Sequence, residues 1–245
     1  MSVVATRYVT PLREGGSLPG LVEADDDGLY VVKFRGAGQG ARALVAEVLV
    51  GELARSLGFP VPRLEVVELD AALGAAEPDP EIQDLINASA GTNLAVDFLP
   101  GALAFDASAA RELDPAWAAG VVWLDALVTN VDRTPRNPNL LVWHGRTWLI
   151  DHGAALYLQH GAADLPALAE RPFPMIADHV LLPYAGSIAE AHSRLAGVAG
   201  GALAQAGEAV PAEWLPEGGV EPYLEYLRRR LEWGGFAEEA ERARP

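Results

Sequence analysis

The chain of 245 residues contains no cysteine. That absence excludes disulfide bonds, zinc sites built from thiolates and a cysteine nucleophile. It also fits a reducing compartment, so we expect a cytoplasmic protein. Half of the residues are apolar, which is enough to form the core of one two-lobed domain or of two small domains.

Basic residues are scarce, because 18 lysine and arginine residues stand against 34 acidic residues and the formal net charge is −16. The basic cluster at residues 228–230 is flanked by Glu225 and Glu232, and we interpret it as a solvated helix face. Nucleic-acid binders carry a basic face that displaces counterions, and anionic membranes attract basic segments. We therefore expect neither direct nucleic-acid binding nor membrane binding.

Long hydrophobic runs are also missing. A membrane-spanning helix needs about 20 apolar residues, whereas the best candidate, residues 116–129, is shorter and contains Asp125. This segment therefore predicts a helix buried inside the protein. Arg7, Arg13 and Glu14 interrupt the N-terminal region before an apolar stretch forms, so we recognise no signal peptide.

The first third of the chain has the alternation and the β-branched residues that are typical of strands. The predicted strands are residues 3–8, 21–23, 29–34, 63–69 and 93–99. A helix is predicted at residues 42–57, where apolar residues recur near the 3.6 period before Gly58 ends the pattern. The acidic, proline-containing segment 74–84 is expected to be an exposed loop.

The remainder of the chain is predicted to be mostly helical, and its last clear helix covers residues 222–233. Strands followed by helices indicate an α+β protein with a cleft between two lobes. The strand that ends at Pro100 and Gly101 sets the expected division, with one lobe at residues 1–99 and the other at residues 100–245.

The segment 130–153 carries the strongest chemical signal. Asp132 lies in a proline-rich loop, two short apolar strands follow, and Asp151 comes directly after the second strand. Phosphoryl transfer to a hydroxyl needs a carboxylate near the hydroxyl proton, and an Asn and a second carboxylate to hold magnesium. We therefore predict Asp132 as the base or orienter of the acceptor hydroxyl, and Asn137 and Asp151 as magnesium ligands.

Several alternatives stay open at this motif. Asn139 is close enough to Asn137 to compete for the metal. A surface Asx turn is the alternative for Asp132, but the buried helix before it and the apolar strand after it argue against this interpretation. Arg133 and Arg136 would either steady a phosphate or the loop itself, or simply be solvated.

Two further features point to nucleotide phosphates. Lys33 ends an apolar strand, and Glu47 is the acidic residue of an apolar stretch early in the following helix. In kinases a strand lysine contacts the phosphates and pairs with a helix glutamate, so we predict this role for the two residues together. Upstream lies a glycine-rich turn whose backbone N–H groups can approach a phosphate closely; it consists of Gly15, Gly16 and Ser17.

Two other chemistries have little support. His144, His152 and His160 lack the spacing of a zinc site, so a metal hydrolase is disfavoured. Ser17 has no His and Asp residues nearby in the sequence to form a relay for acyl transfer.

Taken in order, these motifs resemble those of the HipA-like kinases and, more distantly, of the phosphatidylinositol kinases. The resemblance rests on residues 30–34, Glu47, residues 58–62, residues 130–140 and residues 149–153. It implies a bilobal protein-kinase-like fold, with a small antiparallel-sheet N-lobe that contains one helix and a mostly helical C-lobe. It also implies that ATP binds in the cleft, with magnesium on Asn137 and Asp151.

The same resemblance implies further nucleotide contacts. Gly15 to Ser17 would form the loop that covers the phosphates. The adenine hinge would be the end of the strand at residues 93–99, namely Val96, Asp97, Phe98 and Leu99. The expected function is transfer of the γ-phosphoryl group of ATP to a hydroxyl of a protein, on Ser or Thr, or of a small molecule. The alternatives are a nucleotide-binding pseudokinase that binds a partner, and a toxin–antitoxin role in which another chain contacts DNA.

Overall fold

The computed structural model describes residues 2–12, 18–106, 112–161 and 164–245. Contacts group the chain into two compact units, one made of residues 1–45 and 62–101, the other of residues 46–61 and 102–245. Residues 46–61 thus join the second unit, whereas the division expected from the sequence assigned them to the first lobe. Of the helices in the described part of the chain, none combines the length and the apolarity that crossing a bilayer requires.

A five-stranded closed barrel forms the first unit, in the order β1-β2-β3-β5-β4. Its strands are β1 (Val3–Pro11), β2 (Gly20–Ala24), β3 (Leu29–Lys33), β4 (Leu64–Leu69) and β5 (Gly91–Asp97). The turn at residues 25–28 joins β2 to β3 as the sequence predicts. Four of the pairings are antiparallel, but β1 and β4 pair in parallel through Val3 with Val67 and Val4 with Glu68. The expectation of a purely antiparallel sheet was therefore wrong, because the parallel pair closes the sheet on itself.

Apolar side chains fill the interior of the barrel. Val22, Tyr30 and Val32 are fully buried there, and Val67 and Leu69 complete the cluster from β4. In β3, and at Val67 and Leu69 of β4, the buried residues alternate with more exposed ones, as expected for strands with one face in a core. Burial of this face stabilises the unit at roughly 25 cal/mol per Å² of apolar surface.

The expectation of an exposed loop at residues 74–84 was wrong, because helices cover most of this segment. A 3-10 helix covers Ala71–Ala76, and α2 covers Pro80–Ala88, so the first unit contains more than one helix. Asp79 caps α2 by accepting a hydrogen bond from the Glu81 N–H, and a proline follows at the first helical position. Ile82 and Ile86, one turn apart, pack into the barrel core. The acidic composition concealed this amphipathic pattern.

The helix α1 covers Ala41–Ser56, close to the predicted bounds, and it ends before Gly58, whose φ is +86°. A glycine tolerates this left-handed conformation without the strain that a Cβ would cause. The N-terminal residues of α1 belong to the first unit, and the rest of the helix belongs to the second.

The second unit is built around α3, which covers Pro115–Leu127 and is buried from Ala118 to its end. This confirms the buried helix that the sequence predicts. The helices α4 (Ile188–Glu208), α5 (Glu221–Trp233) and α6 (Gly235–Ala243) follow, and α3 contacts each of them. The sequence did not predict α6, which begins after Gly234 reverses the chain with a φ of +67°.

A small antiparallel sheet completes the second unit. It consists of β6 (Leu103–Ala104), β7 (Leu140–Trp143) and β8 (Arg146–Leu149), in that order. In the hairpin of β7 and β8, Leu140 pairs with Leu149 and Trp143 pairs with Arg146. The chain enters and leaves this hairpin at the same end, and the residues of the strongest sequence motif lie there.

Candidate active site

Asp132 is presented by the loop that follows α3. The chain leaves the helix through Thr129, whose φ is +50°, and the Asn130 N–H donates to the backbone carbonyl of Asp125. The Asn130 side-chain oxygen then accepts from the backbone N–H of Asp132 at 3.1 Å. This turn holds the backbone of Asp132 and leaves its carboxylate half-buried.

Two asparagine side chains converge on the Asp132 carboxylate. The amide nitrogen of Asn137 donates to Oδ2 of Asp132 at 2.8 Å, and that of Asn139 donates to the same oxygen at 3.2 Å. Thr134 and Asn137 exchange two backbone hydrogen bonds that close the loop between them. Asp132 and both candidate metal-binding asparagines therefore form one cluster.

The hairpin connects this cluster to Asp151. Asn139 precedes β7, and its backbone carbonyl accepts from the Ile150 N–H at 3.1 Å, so the pairing of the two strands continues to this point. The N–H of Leu149 donates to the carbonyl of Pro60 at 2.8 Å, which fixes the end of β8. Asp151 lies two residues beyond Leu149 and is exposed. Residues that are 12 positions apart in sequence, Asn139 and Asp151, thus meet at one end of one hairpin.

The backbone of this region adopts unfavourable conformations at three non-glycine residues. Thr129, Asn139 and Asp151 have φ values of +50°, +49° and +59°. Each such residue costs about 1–3 kcal/mol, and these conformations cluster at functional sites. The rest of the unit must therefore stabilise the loop and the strand end in this shape.

A fully buried ionic cluster lies under the loop. Arg133 is 1% exposed and Asp125 is 0% exposed, and Nε of Arg133 lies 2.6 Å from Oδ2 of Asp125. His179 contacts the same oxygen through Nε2 at 2.9 Å, and Asn130 donates to Oδ1 at 3.0 Å. Arg133 is therefore not solvated, which was one of its predicted alternatives; it is buried and holds the loop.

The protonation states in this cluster follow from its geometry. Burial alone would raise the pKa of Asp125, but the Arg133 charge and the hydrogen bond from His179 outweigh it and hold this pKa well below its ordinary value. Burial lowers the pKa of His179 despite the neighbouring Asp125. Nδ1 of His179 accepts from the Leu181 N–H at 3.0 Å, so the proton of the neutral ring is on Nε2 and is donated to Asp125.

The signal that could have revealed this cluster is Asp125 itself. A carboxylate in an otherwise apolar, buried helix requires a partner, and Arg133 lies eight residues downstream. No sequence spacing connects Asp125 with His179, which is 54 residues away and contacts it only through the fold.

The residues predicted to bind the nucleotide are distributed over both units. Lys33 ends β3 opposite Leu94 of β5 and is half-buried. Glu47 lies in the part of α1 that belongs to the second unit and is only 2% exposed. The predicted pairing of Lys33 with Glu47 stays a prediction. The predicted phosphate-covering residues Gly15, Gly16 and Ser17 lie outside the described residues.

The predicted hinge is the end of β5 and the two residues that follow it. Val96 is paired with both β3 and β4, and the N–H groups of Asp97 and Phe98 donate to the carbonyls of Arg63 and Leu29. In the described part of the chain, the Leu99 N–H has no such backbone acceptor. The assignment of this segment as an adenine hinge stays a prediction.

The donor groups at the hairpin end fit a magnesium ion. Asn137 and Asn139 use their amide nitrogens on Asp132, which leaves their carbonyl oxygens as ligands next to the Asp132 carboxylate. Magnesium prefers oxygen ligands of this kind and usually retains waters or takes substrate phosphates. Within the described ranges, no three His, Asp or Glu residues form a complete metal cage. A magnesium ion at this site would therefore complete its coordination with phosphate and water oxygens.

Comparison with known proteins identifies the family. The model of the HipA-like kinase family matches residues 6–223, and the chain therefore belongs to this family. The comparison with curated proteins found no significant match.

Solved structures show the same fold. The proinflammatory kinase CtkA of Helicobacter pylori superimposes with a TM-score of 0.57 at 13% identity, with 98% of each chain covered. The Golgi casein kinase with Mn and ADP bound superimposes with a TM-score of 0.55 at 12% identity, with 98% of this chain and 72% of that chain covered. At these identities the likeness shows the fold alone, which is mixed α/β and protein-kinase-like.

Proposed function

We propose that this HipA-like kinase transfers the γ-phosphoryl group of magnesium-bound ATP to a hydroxyl of a protein, on Ser or Thr, or of a small molecule. The acceptor oxygen forms the new bond to phosphorus while the bond to the leaving ADP oxygen breaks. The hydroxyl proton passes to Asp132 and from there to solvent, and the products are ADP and a phosphomonoester.

The observation that supports the proposal is the fixed carboxylate of Asp132. Its Oδ2 accepts hydrogen bonds from Asn137 and Asn139, and the described residues supply no donor to Oδ1. One oxygen is thus held in place while the other is available to an incoming hydroxyl. A base held in this way acts within hydrogen-bond distance of the proton that it removes.

Asn137 and Asp151 are the residues that we propose to hold magnesium, with Asn139 as the alternative to Asn137. When bound, the ion neutralises charge that develops on the phosphate oxygens. The Mn and ADP in the Golgi casein kinase structure support the use of a nucleotide with a divalent metal in this fold. Lys33, Glu47, the segment of Gly15 to Ser17 and the segment of Val96 to Leu99 are proposed to bind the nucleotide.

The proposal is tested by incubating the protein with γ-labelled ATP, magnesium and candidate acceptors, and by following transfer of the label. Asp132→Asn should abolish transfer while ADP affinity is retained, because it removes the proton acceptor but keeps the shape of the site. Asp151→Asn should lower both transfer and the magnesium dependence of ADP binding. Asp27→Asn, at an exposed hairpin turn, is the matched control and should behave like the unmodified protein.

The outcomes separate two functions. Label transfer that survives both site substitutions would contradict the assignment of these residues. Binding of magnesium and ADP by the unmodified chain, without transfer to any acceptor, would instead indicate a nucleotide-binding pseudokinase.

A further inference from the structure

Arg133 contacts the two chain segments that enter and leave the hairpin, next to the proposed catalytic and metal-binding residues. Its Nη1 donates to the backbone carbonyl of Asn139 and lies 3.4 Å from the carbonyl of Ile150. Its Nη2 lies 3.3 Å from Nδ1 of His152. Asn139 supplies an amide to Asp132, and Ile150 and His152 are the neighbours of Asp151 in sequence. One guanidinium therefore contacts a residue that donates to the Asp132 carboxylate and both sequence neighbours of Asp151.

The position of the Arg133 guanidinium is itself fixed by further hydrogen bonds. Asp125 fixes Nε, and Asp125 is in turn fixed by Asn130 and His179. The backbone carbonyl of Arg133 accepts from the Val180 N–H at 3.0 Å. The rigid helix α3, the loop and the segment around residue 180 thus converge on this one side chain.

We propose that Arg133, locked by Asp125, is a positioning residue that sets the place of the Asp132 carboxylate relative to the Asp151 carboxylate. The inference rests on the proposed kinase function and deepens it. The planar fork of arginine presents several N–H groups in fixed directions, and lysine, a single flexible point charge, does not reproduce this pattern. In a lysine variant the Asn139 carbonyl would keep the Ile150 N–H but lose the guanidinium, and the Ile150 carbonyl would lose its guanidinium contact. The left-handed backbone at Asn139 and Asp151 would then relax.

The test compares two fully buried arginines. Arg133→Lys keeps the charge beside Asp125 but removes the bridge across the hairpin. Arg230→Lys is the matched control, because Arg230, at 0% exposed, is equally buried and also donates to carbonyls, namely those of Ala126, Leu127, Ala169 and Arg171. None of these partners belongs to the loop or the hairpin.

Phosphate release from magnesium-bound ATP, with water as the acceptor, is measured at a temperature at which both variants are folded. We expect Arg133→Lys to lower kcat about 10- to 100-fold, because a displacement of about 1 Å has an effect of this size. The magnesium concentration for half-maximal activity should rise several-fold, whereas Arg230→Lys should lose stability but keep both parameters. Amide hydrogen exchange should become faster in residues 139–151 of the Arg133 variant only.

Equal behaviour of the two variants, with kcat, magnesium dependence and exchange in residues 139–151 unchanged, would overturn the positioning role and leave the kinase proposal intact. If the unmodified protein neither releases phosphate nor binds magnesium and ADP, the kinase proposal fails and the positioning role fails with it. The two failures are distinguished by the behaviour of the unmodified protein.

Discussion

Replacing Asp125 by Asn removes one buried charge while keeping the shape of the side chain. The carboxylate receives three donors, from Asn130 at Oδ1 and from Arg133 and His179 at Oδ2. An amide has one accepting oxygen, and its best orientation directs that oxygen toward Arg133 and His179. Its NH₂ group then faces the NH₂ group of Asn130, so this hydrogen bond is lost.

The loss of stability expected for Asp125→Asn can be estimated from these contacts. An unsatisfied buried donor costs about 1–3 kcal/mol. The Arg133 guanidinium also keeps its charge without a compensating carboxylate, and breaking a buried ion pair in this way costs about 3–5 kcal/mol when the partner is removed entirely. Because the asparagine still accepts one hydrogen bond from Arg133, we expect a loss of about 3 kcal/mol in the free energy of unfolding.

Urea denaturation near neutral pH measures this loss. Asp114→Asn is the matched control, because Asp114 caps the other end of the same helix by accepting from the Ala116 N–H. Asparagine caps a helix as well as aspartate, so this control should change the free energy of unfolding by no more than about 0.5 kcal/mol.

The pH dependence of this difference in stability provides a second test of the role of Asp125. The pKa of Asp125 is lowered in the folded state, so its contribution is complete above the unfolded-state value of about 4 and is lost as the pH falls further. The difference between the unmodified protein and Asp125→Asn should therefore shrink below about pH 4. A loss under about 1 kcal/mol near neutral pH, or one that does not change on acidification, would refute this reasoning.

Three further predictions concern packing, titration and metal binding. Gly120→Ala should lower the free energy of unfolding in urea by about 1–3 kcal/mol, because its Cβ would lie 2.9 Å from a buried phenylalanine ring. Gly197→Ala, in an open helical position, should raise it by about 0.5–1 kcal/mol, and equal effects of the two substitutions would contradict the packing argument. Because burial lowers the pKa of His179, stability should decline as the pH falls below about 6.5, and a His179→Gln variant that kept the full slope would exclude His179 as its cause. Asn137→Ala should raise the magnesium requirement of ATP turnover without lowering the melting temperature, because Asn137 is exposed. Asn139→Ala should lower the melting temperature, because Asn139 is buried. An unchanged magnesium requirement in Asn137→Ala would assign the metal to Asn139.

Local patterns predicted most of the secondary structure correctly. The strands of the first unit, the hairpin turn at residues 25–28 and the helices α1 and α3 follow from alternation, turn residues and helix-stop residues. The helix α2 was missed because its acidic composition outweighed two isoleucines one turn apart. The closure of the barrel could not be predicted, since a parallel pairing between β1 and β4 joins segments about 60 residues apart and leaves no local signal.

The candidate site, too, could be predicted from the sequence only in part. The spacing of Asp132, Asn137 and Asp151 around a predicted hairpin was sufficient to place them at one end of it, and the structure brings them there. The surroundings of Arg133 were not predictable, because its partners come from α3, from the hairpin ends and from the neighbour of Asp151.

The family, the chemistry of the donor groups and the hairpin that gathers them could be inferred from the amino-acid sequence, because they depend on short motifs and on the order of those motifs in the chain. The burial of Arg133, the neutral state of His179 and the choice of the Asp132 oxygen that is held became visible only in the folded protein. Those properties depend on desolvation and on hydrogen bonds between distant segments, and such interactions exist only after the chain has packed.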